Sequence, residues 1–590
     1  MAHERTDIKL ITRLFFRLLP FQILLAAIAY VNGIVSSLFA TNYVSAEAMS
    51  AIGLYNPVTM FLQALNSMLM GGSMLLCGEY MGKNQLDRTR NIFAVDMLMG
   101  LFVSALIIVV CVLGVLTGFT RTMTDSPVVM QQLNRYVLGM MIGIVPTILS
   151  QQVSAFLSLE NQTKRTTIAS VAFIVVNLIL HVILIGMMHM DAFGLALASS
   201  IGQWVFLGVL VQYYMTGKST ITIGWKGFRL ADAFDILRIG YPGGLSFAYQ
   251  TLRGFIVNAL IIAYVGSIGL SAFAACNTFL NIFWSIPIGM VTVSRMLIGI
   301  SMGEEDRRTL TDVMRVMFRR CVPLMACVSA VLILCAVPLT RLYYQDPSDP
   351  VFAMTVSGFR ILPICMPLSI VCMHFVCYAQ ASSKQVLVHI LSLLDGVVCV
   401  AGYTALLIPF LGITSVYHAN TLNGLTCIAA IIIYSWVCNK KFPTNMEELM
   451  VVPKDFGVPE NDRIDISVKD LSEVVQVSQQ IADFCKAHNV DSHRAYFASL
   501  AMEEMAGNVV DHGFKKDKKK HSVDIRVALK DEDIIMRVKD DCIPFNPKER
   551  MELIDPENKN KYLGIQLAYK AAKSFDYQNM LGLNVLTMRV

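Results

Sequence analysis

Near Lys440 the chain changes solvent. Up to that residue it is a succession of long apolar runs; beyond it the sequence is ordinarily charged and water-soluble. No soluble fold can bury a 590-residue chain that is 55% hydrophobic and only 15% charged, so the first part reads as a polytopic α-helical membrane protein. A helix needs about 20 apolar residues to cross the hydrocarbon core. Twelve runs qualify, near residues 15–40, 55–78, 92–118, 132–157, 166–188, 192–215, 241–264, 269–300, 316–338, 352–379, 385–408 and 413–438. The start, Met1 to Leu19, is basic, but the apolar run after it is too long for a signal peptide and has no small-residue cleavage site. Cysteines such as Cys321, Cys327 and Cys335 lie in apolar helices without a C-x-x-C pair and read as small buried hydrophobes.

The net charge of +5 hides an asymmetry, because the sequence after Phe442 is slightly acidic and the surplus base lies in the membrane part. That base is sorted by side. Arg13 and Arg17, Lys83 with Arg88 and Arg90, Lys164 with Arg165, Lys218 with Lys226 and Arg229, Arg307 with Arg308 and Arg315, Lys384, and Lys440 with Lys441 fall in alternate loops. The opposite loops, around Asn42, Asp191, Ser267 and Gly412, have none, and the other two hold only Arg121 and Arg341. The positive-inside rule then puts both termini and the soluble domain in the cytoplasm, on a plasma (inner) membrane protein. No nucleic-acid partner is needed to explain this base.

The chain also repeats itself. A gapless shift of 221 residues superposes Ser50-Ala51 on Ser271-Ala272, Asn56 on Asn277, Ser73 on Ser294, Gly78 on Gly299, Met81-Gly82 on Met302-Gly303 and Pro146 on Pro367. Each unit holds six helices, an even number, so both enter the membrane from the same side as parallel bundles, an arrangement used for alternating access. Shared helix-packing glycines without transport would leave the same trace. The expected organisation is a first bundle (1–215), a cytoplasmic linker (216–240), a second bundle (241–440) and a soluble α/β domain (445–590).

Six plus six spans, with V-S-A-E-A-M-S-A-I-G-L-Y-N-P at Val44–Pro57 and M-L-I-G-I-S-M-G at Met296–Gly303, resemble the multidrug and toxic compound extrusion (MATE) transporters over about residues 10–440. The resemblance implies a V-shaped pair of bundles exporting small organic, often cationic, compounds against a sodium or proton gradient.

An ionisable side chain at mid-bilayer costs roughly 2.5–3.5 kcal/mol on insertion scales, so each needs a partner or a function. Arg253 in span seven and Asp395 in span eleven fall near mid-depth and are expected to pair, either as packing glue or in substrate or ion coupling. His374 and His389 lie on neighbouring spans and could relay protons, although buried histidines are often only hydrogen-bonded. One MATE branch uses an aspartate in span one, where this chain has Asn32, an amide that cannot release a proton. Another uses acids in spans seven and ten; span seven offers Arg253, the repeat mate of Asn32, and span ten has none. The coupling ion, Na⁺ or H⁺, stays open.

In the soluble part, Arg463–Val468 alternates as a strand, Asp470 can cap a helix from Leu471 to Ala487, and a second helix runs from Ser492 to Val510. Strands follow near Ser522–Leu529 and Asp533–Val538, then a helix from Gly564 to Ser574 and a last strand, Asn584–Arg589. Glu504 and Asn508 are four apart and share a helix face, where a carboxylate can serve as base while an amide oxygen helps hold Mg²⁺. Alone this spacing is a weak signal. Followed by Asp511-His512-Gly513, a strand pair, D-D-C-I-P-F-N-P from Asp540 and Leu563-Gly564-Ile565, it resembles the histidine-kinase-like ATPase fold, in particular the anti-sigma-factor serine kinases. The resemblance implies that Asp540 reads the adenine amino group of ATP, Asn508 binds Mg²⁺ and Glu504 is the catalytic base. It makes Asp511, Phe545 and Gly564 further cofactor-binding positions. Cys542 and Tyr562 replace glycines usual in that family, and the lid from Asn546 to Lys561 has no glycine. Gly217-Lys218-Ser219 is no P-loop, because Gln212 stands where the upstream glycine belongs. Lys515–Lys520 is either a solvated loop tip or a contact to anionic membrane lipid.

Three functions remain open at this stage. The leading one is a gradient-driven exporter regulated by an ATP-binding, serine-kinase-like domain whose protein target would be a small anti-anti-sigma (STAS) protein. The others are a membrane sensor with kinase output and a flippase for lipid-linked precursors.

Overall fold

The computed structural model describes residues 9–124, 126–217, 219–222, 229–468, 470–514, 521–530, 533–544, 546, 566, 569 and 572–590. Among them are twelve helical spans long and apolar enough to cross a membrane. The first six are α1 (Lys9–Phe39), α2 (Ala46–Gly82), α3 (Leu86–Leu116), α4 (Pro127–Leu159), α5 (Thr163–His181) and α6 (Ala192–Met215). The second six begin with α7 (Ala231–Tyr264) and α8 (Ser267–Gly303). In the ninth span a π-helical turn joins α9 (Arg307–Val316) to α10 (Val322–Leu334), and the short α11 (Ala336–Arg341) follows. The tenth comprises α12 (Pro350–Ile361) and α13 (Cys365–Ala381), the eleventh α14 (Gln385–Leu393) and α15 (Cys399–Leu411), and the twelfth is α16 (Thr414–Asn439).

The repeat read from sequence is a repeat of elements: α2 and α8 are offset by 221 residues at both ends. These mates cross each other. A Cβ on Gly78 would lie 2.9 Å from the Gly299 backbone, one on Gly82 2.4 Å from the Ile300 carbonyl oxygen, and one on Gly303 1.9 Å from the Glu79 carbonyl oxygen. No residue but glycine fits there. Gly72 against Ile236, Gly240 against Met68 and Gly289 against Ile23 bring α2 to α7 and α1 to α8 in the same way. All these approaches between bundles fall from mid-helix towards the ends that face the C-terminal domain, hereafter the domain side.

After the short α17 (Met446–Met450), the domain is a five-stranded antiparallel sheet in the order β1-β2-β3-β5-β4, with β1 (Arg463–Val468), β2 (Val523–Lys530), β3 (Asp533–Asp540), β4 (Ser574–Met580) and β5 (Leu583–Arg589). One face, including Ile466, Ile525, Val527, Met536, Val538 and Met588, packs on α18 (Leu471–Ala487) and α19 (Ser492–Asn508). As expected, Asp470 caps α18 by accepting from the Ser472 and Glu473 N–H groups. The expected helix ending at Ser574 is corrected: Ser574 opens β4, and of the earlier positions that are described Gln566 and Tyr569 are helical while Ala572 and Lys573 are not.

The other face of the sheet is charged and lies on the membrane bundles. Lys539 meets Glu304 and, at 3.4 Å, Asp306; Arg526 bridges Asp306 and Asp465, both at 2.7 Å; Arg537 and Lys530 reach Glu304 and Glu305. Burial works against the Arg526 guanidinium, but the carboxylates of Asp306 and Asp465 outweigh it and hold its proton above the usual arginine range. This acidic turn between α8 and α9 is the repeat mate of Lys83-Asn84-Gln85, and Glu305 shares the left-handed backbone of Asn84, with φ of 52° against 59°. A second anchor is the β4–β5 turn. Leu581 donates its N–H to the Leu159 carbonyl at 3.0 Å, while Arg17 donates to the Leu581 carbonyl at 2.6 Å. Leu581 and Gly582 both have positive φ, 54° and 78°. A left-handed leucine costs roughly 1–2 kcal/mol, and full burial of its side chain returns about 1.5–3 kcal/mol. The conformation is therefore favourable only while the turn is seated on the bundle, where Leu581 is 1% exposed.

Leu581→Asp should unseat this anchor. Amide exchange is expected to rise in the 580–583 turn and at 159–165 while β2 and β3 stay protected; unchanged exchange at 159–165 would show that the turn does not hold the domain.

Candidate functional site

Helix α19 ends at Asn508 and passes into one turn of π-helix, Val509–Gly513. Glu504 and Asn508 are half-buried on successive turns, with Asn508 Nδ2 donating to the Glu504 carbonyl at 2.7 Å. That bond commits the amide nitrogen and leaves Oδ1 as the atom able to meet a cation. The π-turn carries Asp511 and brings Gly513 against Cys542, whose Sγ would lie 3.0 Å from an added Cβ. The two sequence motifs therefore meet. Cys542, unusual at its position, fills the space beside Gly513.

Asp540 ends β3 and is buried. Its Oδ1 accepts from the Cys542 N–H at 2.9 Å and from Asn584 Nδ2 at 2.7 Å, so Oδ2 is the oxygen that can turn to a ligand. Burial pushes its carboxyl up from the ordinary range, against hydrogen bonds from Asn584 and from the Cys542 N–H and thiol. Asn584 was missed in the sequence. It is itself held by Tyr577 Oη at 2.8 Å and Asn579 Nδ2 at 2.9 Å, and the signal was a lone amide inside the apolar run of β5. Asp541, next along, binds Arg13 of α1 at 3.1 Å and His521 at 3.0 Å. A buried acceptor with one oxygen fixed, beside a neutral amide oxygen and a half-buried carboxylate, suits an adenine amino group and a mostly hydrated Mg²⁺. Phe545, Gly564, Tyr562, Lys515–Lys520 and most of the Asn546–Lys561 lid lie outside the described residues.

In the membrane part, Arg253 and Asp395 are neighbours, but the expected side-chain pair is corrected: Arg253 Nη1 donates to the Asp395 main-chain oxygen at 3.1 Å, while the carboxylate accepts from Asn423 Nδ2 at 2.8 Å. A π-turn, Leu394–Val398, displaces Asp395 from the α-helical direction that sequence spacing assumes. His374 and His389 are held by separate partners. His374 Nδ1 bonds the Ile370 carbonyl at 2.9 Å, and the exposed His389 bonds Tyr241 at 2.5 Å. Asn32 accepts from Ser199 at 3.4 Å and joins a cluster with Ser36, Asn177 and His181. Where a P-loop would cradle phosphate, the Thr220 and Ile221 N–H groups donate instead to Glu160, at 2.6 and 2.8 Å.

Against known proteins, residues 23–183 and 242–404, more than half of the chain, match the MatE family model. The chain belongs to the MatE family. Residues 468–590 of this MatE protein match the histidine kinase-like ATPase domain. Two proteins named probable multidrug resistance protein NorM are 22% identical, one from Oceanobacillus iheyensis over 51% of this chain and 67% of its own, the other from Chromobacterium violaceum over 55% and 70%. Its fold is shared with an outward-facing multidrug resistance MATE family transporter of the MOP superfamily (TM-score 0.68, 19% identity, 76% of this chain and 100% of that one). A MOP superfamily transporter from Pyrococcus furiosus gives a TM-score of 0.66 at 18% identity, over 74% of this chain and 99% of that one. The MatE protein is thus a multi-pass membrane protein carrying an ATPase-like domain.

Reading Asp540 as the adenine acceptor fixes a pH dependence. The ionised form accepts from the amino group, and burial raises the pH at which that form is lost. Nucleotide affinity is expected to be full at neutral pH and to fall on acidification sooner than an ordinary aspartate would allow. Asp540→Asn should remove the slope and weaken binding by about 1.5–3 kcal/mol, the value of a charged hydrogen bond, or roughly ten- to hundredfold in Kd. Calorimetric titration of the full chain with ATP and magnesium across pH checks both.

Proposed function

We propose that this protein is a gradient-driven exporter of small organic compounds whose ATP-binding domain governs transport from the cytoplasm. Family membership and the multidrug resistance names of its relatives support the exporter half. The alternation of basic loops supports a cytoplasmic domain and cytoplasmic termini in a plasma (inner) membrane.

The observation that carries the coupling is the run Lys539-Asp540-Asp541. Lys539 grips the acidic turn of the second bundle, Asp541 grips Arg13 of the first, and Asp540 between them faces the nucleotide site. With the Leu581 anchor on the first bundle, the domain bridges the seam where α2 crosses α8. The seam cannot part on that side while both grips hold. A ligand on Asp540 acts on the peptide units that carry the grips, so nucleotide and bundle position are linked in both directions. The Lys539 grip is buried, and removing one partner of such a pair costs about 3–5 kcal/mol, whereas Arg13 of the other grip is largely exposed and its pair weaker.

The same linkage supports a second reading, in which the bundles sense substrate and Glu504, as base, promotes phosphoryl transfer to a serine on a STAS-type partner. Neither reading has ATP hydrolysis drive transport, since the ATPase-like domain matches once in the chain and its motifs resemble those of protein kinases.

Reconstituted in vesicles, the protein should take up a substrate dye under an imposed ion gradient and not under ATP alone. ATP should change that rate severalfold in wild type but not in Asp540→Asn or in Glu304→Gln/Asp306→Asn, and Glu504→Ala should transport normally. ATP-driven uptake without a gradient, lost in Glu504→Ala, would overturn the exporter reading; indifference of the wild type to ATP would overturn the coupling.

A further inference from the structure

Asp96 is the one aspartate of α3 that no ion pair explains. It lies ten residues into the helix from Leu86, about 15 Å at 1.5 Å per residue, and has 0% exposure. Neither carboxyl oxygen has a hydrogen-bond partner. A buried, unpaired carboxylate in lipid-facing helices is costly enough to demand a function.

Its surroundings define that function. From α2, Ser73 and Cys77 face it. Ser73 Oγ donates its hydrogen to the Leu69 carbonyl at 2.8 Å, and Cys77 Sγ points its own at the Thr89 carbonyl at 3.9 Å. Both groups therefore turn lone pairs, not hydrogens, towards Asp96. An anion there would meet the lone pairs of Ser73 and Cys77, whereas a neutral carboxyl group can donate to Ser73 Oγ. From α4, Phe156 packs on Phe93 and Leu149 on Gly100, which sets Asp96 at the level of Gln152 and Val153. Gln152 is buried with Oε1 unpartnered, and Asn66 of α2, whose carbonyl accepts weakly from Gln152 at 3.5 Å, is buried with both amide atoms unpartnered. Such orphan polar atoms mark a place for water or an ion. From α6, Tyr214 stacks on Phe93. The two arginines of α3 are engaged elsewhere, Arg88 at 3.5 Å with Asp232 of α7 and Arg90 at 3.3 Å with Asp87. Glu79 and Lys83 further along α2 pair with each other.

We propose that Asp96 is the carboxyl group that takes up and releases the coupling proton of this exporter, with Ser73 as acceptor of the bound proton and the Gln152–Asn66 amides lining a water path to it. Binding converts a carboxylate and a proton into a carboxylic acid, and release reverses this. The step is placed to act on transport because Ser73 and Cys77 sit on α2 within about one and a half turns of Gly78, where that helix crosses α8. The inference rests on the exporter reading.

Three measurements on the full chain decide it. Infrared spectra at neutral pH should contain a protonated-carboxyl band that Asp96→Asn lacks; its absence from the wild type overturns the proposal whatever the protein transports. In proteoliposomes, ethidium uptake should follow a proton gradient in wild type, persist in reduced form in Asp96→Glu and be lost in Asp96→Asn. Ethidium affinity should vary with pH in wild type, by about the 5- to 150-fold of ordinary site coupling, and be flat in Asp96→Asn. Proton-driven uptake retained by Asp96→Asn overturns the proposal, as does uptake driven only by sodium. A wild type that moves no dye under any gradient while showing the infrared band counts against the exporter reading and leaves the protonated site established.

Discussion

Two helices can touch backbone to backbone only where neither carries a side chain, and α2 and α8 do so at Gly78 and Gly299. In lipid there is no hydrophobic gain from bringing helices together, so packing at small residues is what holds such a crossing. Everything else here is arranged around it. The crossing joins repeat mates, so it lies on the axis that relates the bundles. Gly82 and Gly303 extend the close approach to the helix ends, and those ends form the floor on which the sheet rests. The docked domain thus spans the seam at its end, and the buried Asp96 faces the α2 side of it through Ser73 and Cys77.

The membrane architecture was legible because two independent periodicities report it. Hydropathy gave the spans, and the constant register of glycines, serines and prolines gave the pairing of repeats. Neither reports a break of hydrogen-bond pattern inside a span. The π-turns at Met317–Cys321 and Leu394–Val398 are therefore invisible in the sequence, and the second one turns the Asp395 carboxylate to Asn423 instead of Arg253. In the soluble domain β1 and the capped α18 stood out from alternation and an N-terminal Asp. Strand β4 did not, because Ser-Phe-Asp-Tyr-Gln-Asn-Met alternates over only five residues with two aromatics, too short a run to stand apart from the helix placed before it, and both its faces are half-buried.

The candidate sites divide in the same way. Glu504, Asn508 and Asp540 could be found because their chemistry needs fixed spacings on a helix and at a strand end. Asn584 could not be assigned a role, since its partner lies across the sheet from a strand 44 residues earlier in the chain. Asp96 was passed over because it falls near the edge of a hydropathy run, where charges are ordinary. Only the start of α3 at Leu86 reveals its depth.

The turn Glu304-Glu305-Asp306 and its mate Lys83-Asn84-Gln85 keep the same backbone, down to the left-handed middle residue, while exchanging acid for base. A duplicated membrane unit begins life with two equivalent landing places for any soluble module. Making one turn acidic gives the basic sheet an electrostatic grip on that half alone, while the lysine of the mate turn is already paired with Glu79. The symmetry of the carrier is thereby broken at its surface and kept at its centre, so the attached domain has one orientation although the transporter beneath it has a twofold design.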